Sequence, residues 1–366
     1  LGGHSLLAVE QIDAIRQKTG KDLSQNVLFD NPTPAGLAPL IDDDAGNVAL
    51  ALVSGMGRQG ERIKLSLGQI RLWLLERISP GGAAYNLPAV LALRGDLNRD
   101  ALAQSLVSLI ARHQPLRTVM RADENQEPYG VLLSVPSSSS VLKTTDLSHL
   151  ATGMRSDALK LALEQESRLP FDLANDLALR AHLIVLGPSE FVLALTLHHH
   201  ASDGLSIGIL TNEFRQAYLG ACNGQPPKLD PLPVQYSDWA AWQQSTLEAE
   251  ALDGQTKLKT KIDRAIKRLG DIPDRLSLPV MRSRDPLRAH RAGWADIHIP
   301  GSLVLGLERL AQSRQSTVFS VMLAMFGVML SKLASQTKVL IGSPVAGRSH
   351  AETEGLIGFF VNTLVI

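Results

Sequence analysis

The chain has 366 residues, 45% hydrophobic and 20% charged, with 36 basic side chains against 36 acidic ones. That length suits about two domains with full cores, the composition is neither disordered nor collagen-like, and the neutral balance gives no support to polyanion binding as the main function. The single cysteine, Cys222, excludes an internal disulfide and a multi-cysteine metal site and fits a reducing compartment. No basic region followed by an apolar core opens the chain, and no apolar run reaches the roughly 18 to 20 residues that cross a bilayer, so a soluble cytoplasmic protein is expected.

In chain order, Leu6, Leu7, Val9, Ile12 and Ile15 recur at helical spacing, with Ser5 at the mouth of the helix. Thr33 is an N-cap candidate before Pro34 and a short apolar face of Leu37, Leu40 and Ile41. An acidic triplet and several glycines then read as a linker over residues 42–62. The larger body opens with a helix over 66–75, a strand over 85–94 and a helix over 98–112. Strands are predicted at 116–120 and 129–135, a serine loop at 137–140, a helix at 154–166, and paired strands at 178–186 and 191–197. A helix over 205–218 follows, then one long polar helical stretch from Tyr236 to about Arg268. Beyond it come a strand at Trp294–Ile299, helices at 303–313 and 318–333, and a strand at Lys338–Gly342. The chain closes inside the apolar run Phe359–Ile366, whose backbone needs strand neighbours. Alternating helix and strand of this kind predicts an α/β body, built as two similar lobes.

His198-His-His-Ala-Ser-Asp-Gly204 is the most informative stretch. An apolar strand ends there and delivers imidazoles to an opening loop, because side chains alternate along a strand. Asp203 can turn back to orient the loop, and Gly204 permits a close approach before the next helix. A neutral imidazole there accepts a proton from an amine or hydroxyl, or fixes it by hydrogen bonding. Packing remains the competing reading, and a zinc site lacks further ligands at a familiar spacing.

Several ordered motifs carry a resemblance. The body resembles the condensation domains of nonribosomal peptide synthetases, through Ser66-Leu-Gly-Gln-Ile-Arg-Leu-Trp73, Arg112-His-Gln-Pro-Leu-Arg-Thr118, His198–Gly204, Tyr236-Ser-Asp-Trp-Ala-Ala-Trp242, Gly342–Arg348 and Ile357-Gly-Phe-Phe-Val-Asn-Thr363. Gln114 stands where glutamate is common in that family. Leu1-Gly-Gly-His-Ser-Leu6 resembles the signature of a peptidyl-carrier domain, which places Ser5 where 4′-phosphopantetheine is attached.

The resemblance implies two chloramphenicol-acetyltransferase-like lobes in a V, preceded by part of a helical carrier domain. The implied division is a carrier fragment at 1–41, a linker at 42–62, an N-terminal lobe at 63–235, and a bridge with part of a C-terminal lobe at 236–366. It implies amide-bond formation between a donor aminoacyl or peptidyl thioester and an acceptor amine, both carrier-tethered, without a metal. An upstream adenylation domain and two carriers are the implied partners, with neither nucleic acid nor membrane. His199 is the implied catalytic or substrate-positioning residue, supported by His198, Asp203 and Gly204, while His200 falls on a spacer position of the motif. Arg112 and Arg117 are expected to brace Asp203 or the sheet, and Asn362 to shape the tunnel. An epimerising relative and a silent carrier-docking scaffold are the alternatives; heterocyclising relatives replace the paired histidines that stand here.

Overall fold

The computed structural model describes residues 14–15, 18–19, 33–42, 55, 60–252, 256–270, 272, 275–279, 295–314, 316–348 and 350–366. Of the carrier-like segment it describes one complete helix, α1 (Pro34–Asp42), which starts as expected: the Thr33 hydroxyl accepts from the Gly36 amide at 3.2 Å. Contacts divide the chain into two units, the larger holding Val9–Asp253 with Ala346–Asn362 and the smaller holding Gly254–Val345 with Thr363–Ile366.

In the larger unit, α2 (Leu67–Ile78) begins with a capping box. The Ser66 hydroxyl accepts from the Gln69 amide, and the Gln69 side chain accepts from the Ser66 amide. A mixed sheet in the order β2-β7-β6-β5 forms its centre, from β2 (Asn86–Arg94), β5 (Leu142–Asp146), β6 (Leu179–Gly187) and β7 (Glu190–His198). The β2–β7 and β7–β6 pairs are antiparallel and β6–β5 is parallel. Helices α3 (Arg99–Arg112) and α5 (Gly204–Cys222) pack on one face, where Leu183, Leu193, Leu195 and Leu197 meet Leu102, Leu106, Leu210 and Phe214. The opposite face sends Ile184 and Val192 toward α4 (Thr152–Arg168). Period-two alternation along β6 and β7 thus fills two apolar layers.

A smaller antiparallel sheet has the order β1 (Arg62–Ile63), β4 (Pro128–Leu132), β3 (Thr118–Ala122), and the 3-10 turn Gln114–Arg117 leads directly into β3. That turn replaces the first half of the strand predicted at 116–120. Pro115 lacks an amide for a ladder and tightens the chain there instead. A third cluster joins Leu72 of α2 to Tyr236, Trp239 and Ala240 of α6 (Tyr236–Leu252) and to Leu356, Phe359 and Phe360. Helix α6 and the segment 346–362 therefore belong with the larger unit, whereas the expected lobe boundary lay at residue 235.

The predicted helical stretch from Tyr236 to Arg268 is two helices, α6 and α7 (Thr256–Leu269). The smaller unit contains α7, α8 (Gly301–Ser313), α9 (Val318–Ala334) and β8 (Gly342–Val345), which pairs with β9 (Asn362–Val365). The expected strand at Trp294–Ile299 does not form over its described part, 295–299, which has no ladder partner among the described residues and leaves Ile297 85% exposed. The strand expected at Lys338–Gly342 begins only at Gly342. Among the described residues no single helix is long and apolar enough to cross a membrane.

Candidate functional site at the histidine turn

Strand β7 holds its backbone register to the last residue, with His198 opposite Asn86 of β2. The chain then tightens into the one-turn 3-10 helix His199–Ala201, whose first amide donates to the Tyr85 carbonyl at 2.8 Å. His199 is half-buried, and its Nδ1 lies 2.8 Å from the Ser202 carbonyl oxygen. A carbonyl only accepts, so Nδ1 carries the proton and Nε2 of the neutral ring keeps its lone pair. Phe359 meets the ring edge-on at 4.8 Å between centroids and fixes its tilt.

His198 and His200 are buried. Their Nδ1 atoms lie 2.8 Å apart, and His200 Nε2 lies 3.2 Å from the Thr118 carbonyl oxygen. Burial pushes the His198 imidazole down to about 2 and that of His200 down to about 4, so both rings are neutral at ordinary pH. His199 is thus the member of the cluster that combines partial exposure with a free basic nitrogen.

Asp203 lies beneath this turn as the N-cap of α5, only 3% exposed. Its Oδ1 accepts from the Ser206 amide at 2.9 Å and the Ser206 hydroxyl at 2.8 Å, and its Oδ2 accepts from the Phe360 amide at 3.2 Å. A guanidinium completes the set: Arg348 Nη2 lies 3.3 Å from Asp203 Oδ1. Arg348 also donates to the Thr353 and Leu356 carbonyls and to Ser206 Oγ, and it stacks over Phe360 at 4.1 Å. Burial lowers the Arg348 pKa, and the Asp203 carboxylate opposes that shift.

Of the two roles expected for Arg112 and Arg117, the structure corrects the first: the arginine on Asp203 is neither of them. Arg112 pairs with Glu213 at 3.2 Å and donates to the Asp230 carbonyl, while Arg117 donates to the Leu133 carbonyl at 2.6 Å. His113 Nε2 also reaches Glu213 at 2.7 Å. The Arg112–Thr118 motif therefore joins α3 to α5 and supports the small sheet. Arg348 belongs to the Gly342–Arg348 loop, but a partner 145 residues away has no periodic signature.

The other motifs converge on the same turn. Gln69 Nε2 donates to the His200 carbonyl at 3.1 Å. The Tyr236 hydroxyl donates to the Phe359 carbonyl at 2.7 Å and takes a hydrogen bond from Ser66 Oγ at 2.8 Å. Gly358 is required beside that ring, because a Cβ there would lie 2.1 Å from Tyr236 Cδ2. Gly204 differs from expectation: among the described residues, a Cβ on it would meet no non-neighbouring atom within 4 Å. Asn362 is exposed at the start of β9, and Ser5 lies outside the described residues. Among the described residues no group of three or more His, Cys, Asp or Glu is placed to hold a metal ion.

Chemically, the turn presents one basic imidazole nitrogen at a strand end, over a neutral buried histidine pair and a buried carboxylate–guanidinium pair. Comparisons with known proteins give two family matches. The family model described as "Condensation domain" matches residues 59–366, and that described as "Phosphopantetheine attachment site" matches residues 1–41. Malpibaldin synthetase of Mortierella alpina is 36% identical over 374 residues, which cover 100% of this chain and 6% of that protein. The dimodular nonribosomal peptide synthase of Bacillus subtilis is 34% identical over 368 residues, and the chain spans 15% of its length. The solved complex of the X-domain and OxyB from teicoplanin biosynthesis is 26% identical with a TM-score of 0.76, covering 87% of this chain and 67% of that one. The first condensation domain of the CDA synthetase has the same fold at 20% identity, with a TM-score of 0.64 over 84% of this chain and 70% of that one.

Proposed function

Because the chain belongs to the condensation-domain family of nonribosomal peptide synthetases, whose general reaction joins carrier-tethered substrates through a peptide bond, we propose that it forms an amide between a donor acyl thioester and an acceptor amine at His199. The observation that carries this reading is the proton placement on His199, with Nδ1–H committed to the Ser202 carbonyl and Nε2 left to receive.

The Nε2 lone pair accepts a hydrogen bond from the neutral acceptor amine and aims the nitrogen at the donor carbonyl carbon. It takes the amine proton as the carbon–nitrogen bond forms; the carbon–sulfur bond breaks, and the proton passes to the leaving thiolate. Asp203 and Arg348 hold the turn so that the imidazole keeps its aim, and Phe359 limits its rotation.

Ser5 has the hydroxyl that a phosphodiester to the pantetheine arm requires, and it stands in the segment matching an attachment site. When bound, that arm supplies a thioester and raises the effective concentration of the acyl group. An adenylation domain upstream is the partner that would charge it. Asn362 is assigned to the rim of the substrate path, and His198 and Asp203 to its support.

The X-domain of the solved complex binds OxyB, and by that likeness a docking scaffold is the second reading. Carriers loaded with defined aminoacyl groups, followed by intact-protein mass spectrometry, separate the two. Tethered dipeptide lost in His199→Ala supports condensation; carrier binding without product overturns it.

A further inference from the structure

Resting on that functional reading, we propose that His200 is a positioning residue, which holds the turn carrying His199 by bridging the Thr118 carbonyl to His198 Nδ1. His200 is 1% exposed, yet both of its ring nitrogens have partners. The Thr118 carbonyl at 3.2 Å only accepts, so Nε2 of His200 carries the ring proton. Nδ1 of a neutral ring then holds a lone pair, and the proton in the 2.8 Å contact comes from His198 Nδ1.

The backbone N–H of His200 also approaches His198 Nδ1, at 3.2 Å. One nitrogen cannot both donate its proton and accept another in its plane. The shorter contact and the accept-only Thr118 oxygen decide for donation by His198. The assigned relay is therefore His198 Nδ1–H to His200 Nδ1, and His200 Nε2–H to Thr118 O.

This relay ties the last residue of β7 to the first residue of β3, while the His200 backbone carbonyl receives Gln69 Nε2 at 3.1 Å. Three elements from separate parts of the chain are thus fixed to the residue that follows His199. Among the described residues, the Ser202 carbonyl and the Phe359 ring edge are the groups that orient the His199 imidazole directly, so its aim depends on the turn staying in place. Displacing a reacting group by about 1 Å costs on the order of 100-fold in rate.

The test uses the intact protein with aminoacyl-loaded donor and acceptor carriers, as wild type, His199→Ala, His200→Leu and His200→Gln. His200→Leu removes both bonds at similar volume, whereas His200→Gln can still donate toward Thr118 O. The single-turnover rate is expected to fall about 10- to 100-fold in His200→Leu, with half-saturating acceptor-carrier concentration unchanged, and about 10-fold or less in His200→Gln. Nitrogen-15 spectra of the wild type are expected to show His198 and His199 as Nδ1–H tautomers and His200 as Nε2–H; in His200→Leu the His199 signature becomes mixed.

A role confined to stability would lower the melting temperature and leave the rate per folded molecule and the His199 signature in place, and that result overturns the inference. So does an Nε2–H tautomer at His198 in the wild type, which needs no variant to fold. Absence of product from the wild type overturns the functional reading instead.

Discussion

Removing the Asp203 carboxylate is the perturbation whose size the structure determines most fully. Asp203→Ala takes away, in one step, the acceptor of the Ser206 amide, the Ser206 hydroxyl, the Phe360 amide and Arg348. Arg348 keeps its Thr353, Leu356 and Ser206 contacts but loses its counter-charge with its side chain only 6% exposed. Breaking a buried ion pair from one side costs about 3–5 kcal/mol, and a lost N-cap adds about 1 kcal/mol. Asp203→Asn keeps an N-cap oxygen and loses the charge, so a smaller cost of about 2–4 kcal/mol is expected. In a cycle with Arg348→Met, the double variant should recover about 1–3 kcal/mol relative to additivity, since neither charge is then left alone. Urea midpoints at constant slope measure all four species. Additive effects, each below about 1 kcal/mol, would show that water reaches the pair and refute the argument.

Gly358→Ala should destabilise by about 1–3 kcal/mol through overpacking, because its Cβ would stand 2.1 Å from the Tyr236 ring; thermal melts check this. Gly204→Ala should leave the melting temperature close to that of the wild type, since a Cβ there meets nothing within 4 Å, and a large drop would contradict the open space. Burial works to raise the Glu213 pKa, but the His113 hydrogen bond and Arg112 outweigh it and hold the carboxyl below its ordinary value. Its stabilisation is therefore present above pH 4.5 and lost as pH falls through the lower folded value, so the stability gap between wild type and Glu213→Gln should shrink in acid. His200 is depressed from 6.5 to about 4 and His198 to about 2, so the unfolded chain takes up both protons first and stability should decline from pH 6.5 toward 4, less steeply in His200→Gln, where the His198 share remains.

The features legible from sequence were those with local causes. The helix expected over 66–75 forms as α2, the apolar alternation over 191–197 forms β7, and the end of that strand locates the histidine turn. What stayed hidden depends on tertiary partners. Arg348 reaches Asp203 across 145 residues, and Gln69 reaches His200 across 131. Strand β5 reads as a polar segment, because its LKTTD sequence lies at the sheet edge, with β6 as its one strand neighbour among the described residues. At 295–299 the residues have strand propensity but no described neighbour to complete a ladder, and propensity yields to that lack. His200 stands at a spacer position of its motif, and its sequence neighbours give no hint of the Thr118 carbonyl, 82 residues earlier.

The most direct test of the central claim is the yield of carrier-tethered dipeptide from loaded donor and acceptor carriers, compared between wild type and His199→Ala by intact-protein mass spectrometry. The account predicts dipeptide from the wild type and a loss on the order of 100-fold or more in the variant, as expected when a general base is removed. Equal yields from the two proteins, or none from a folded wild type that still binds both carriers, would contradict it.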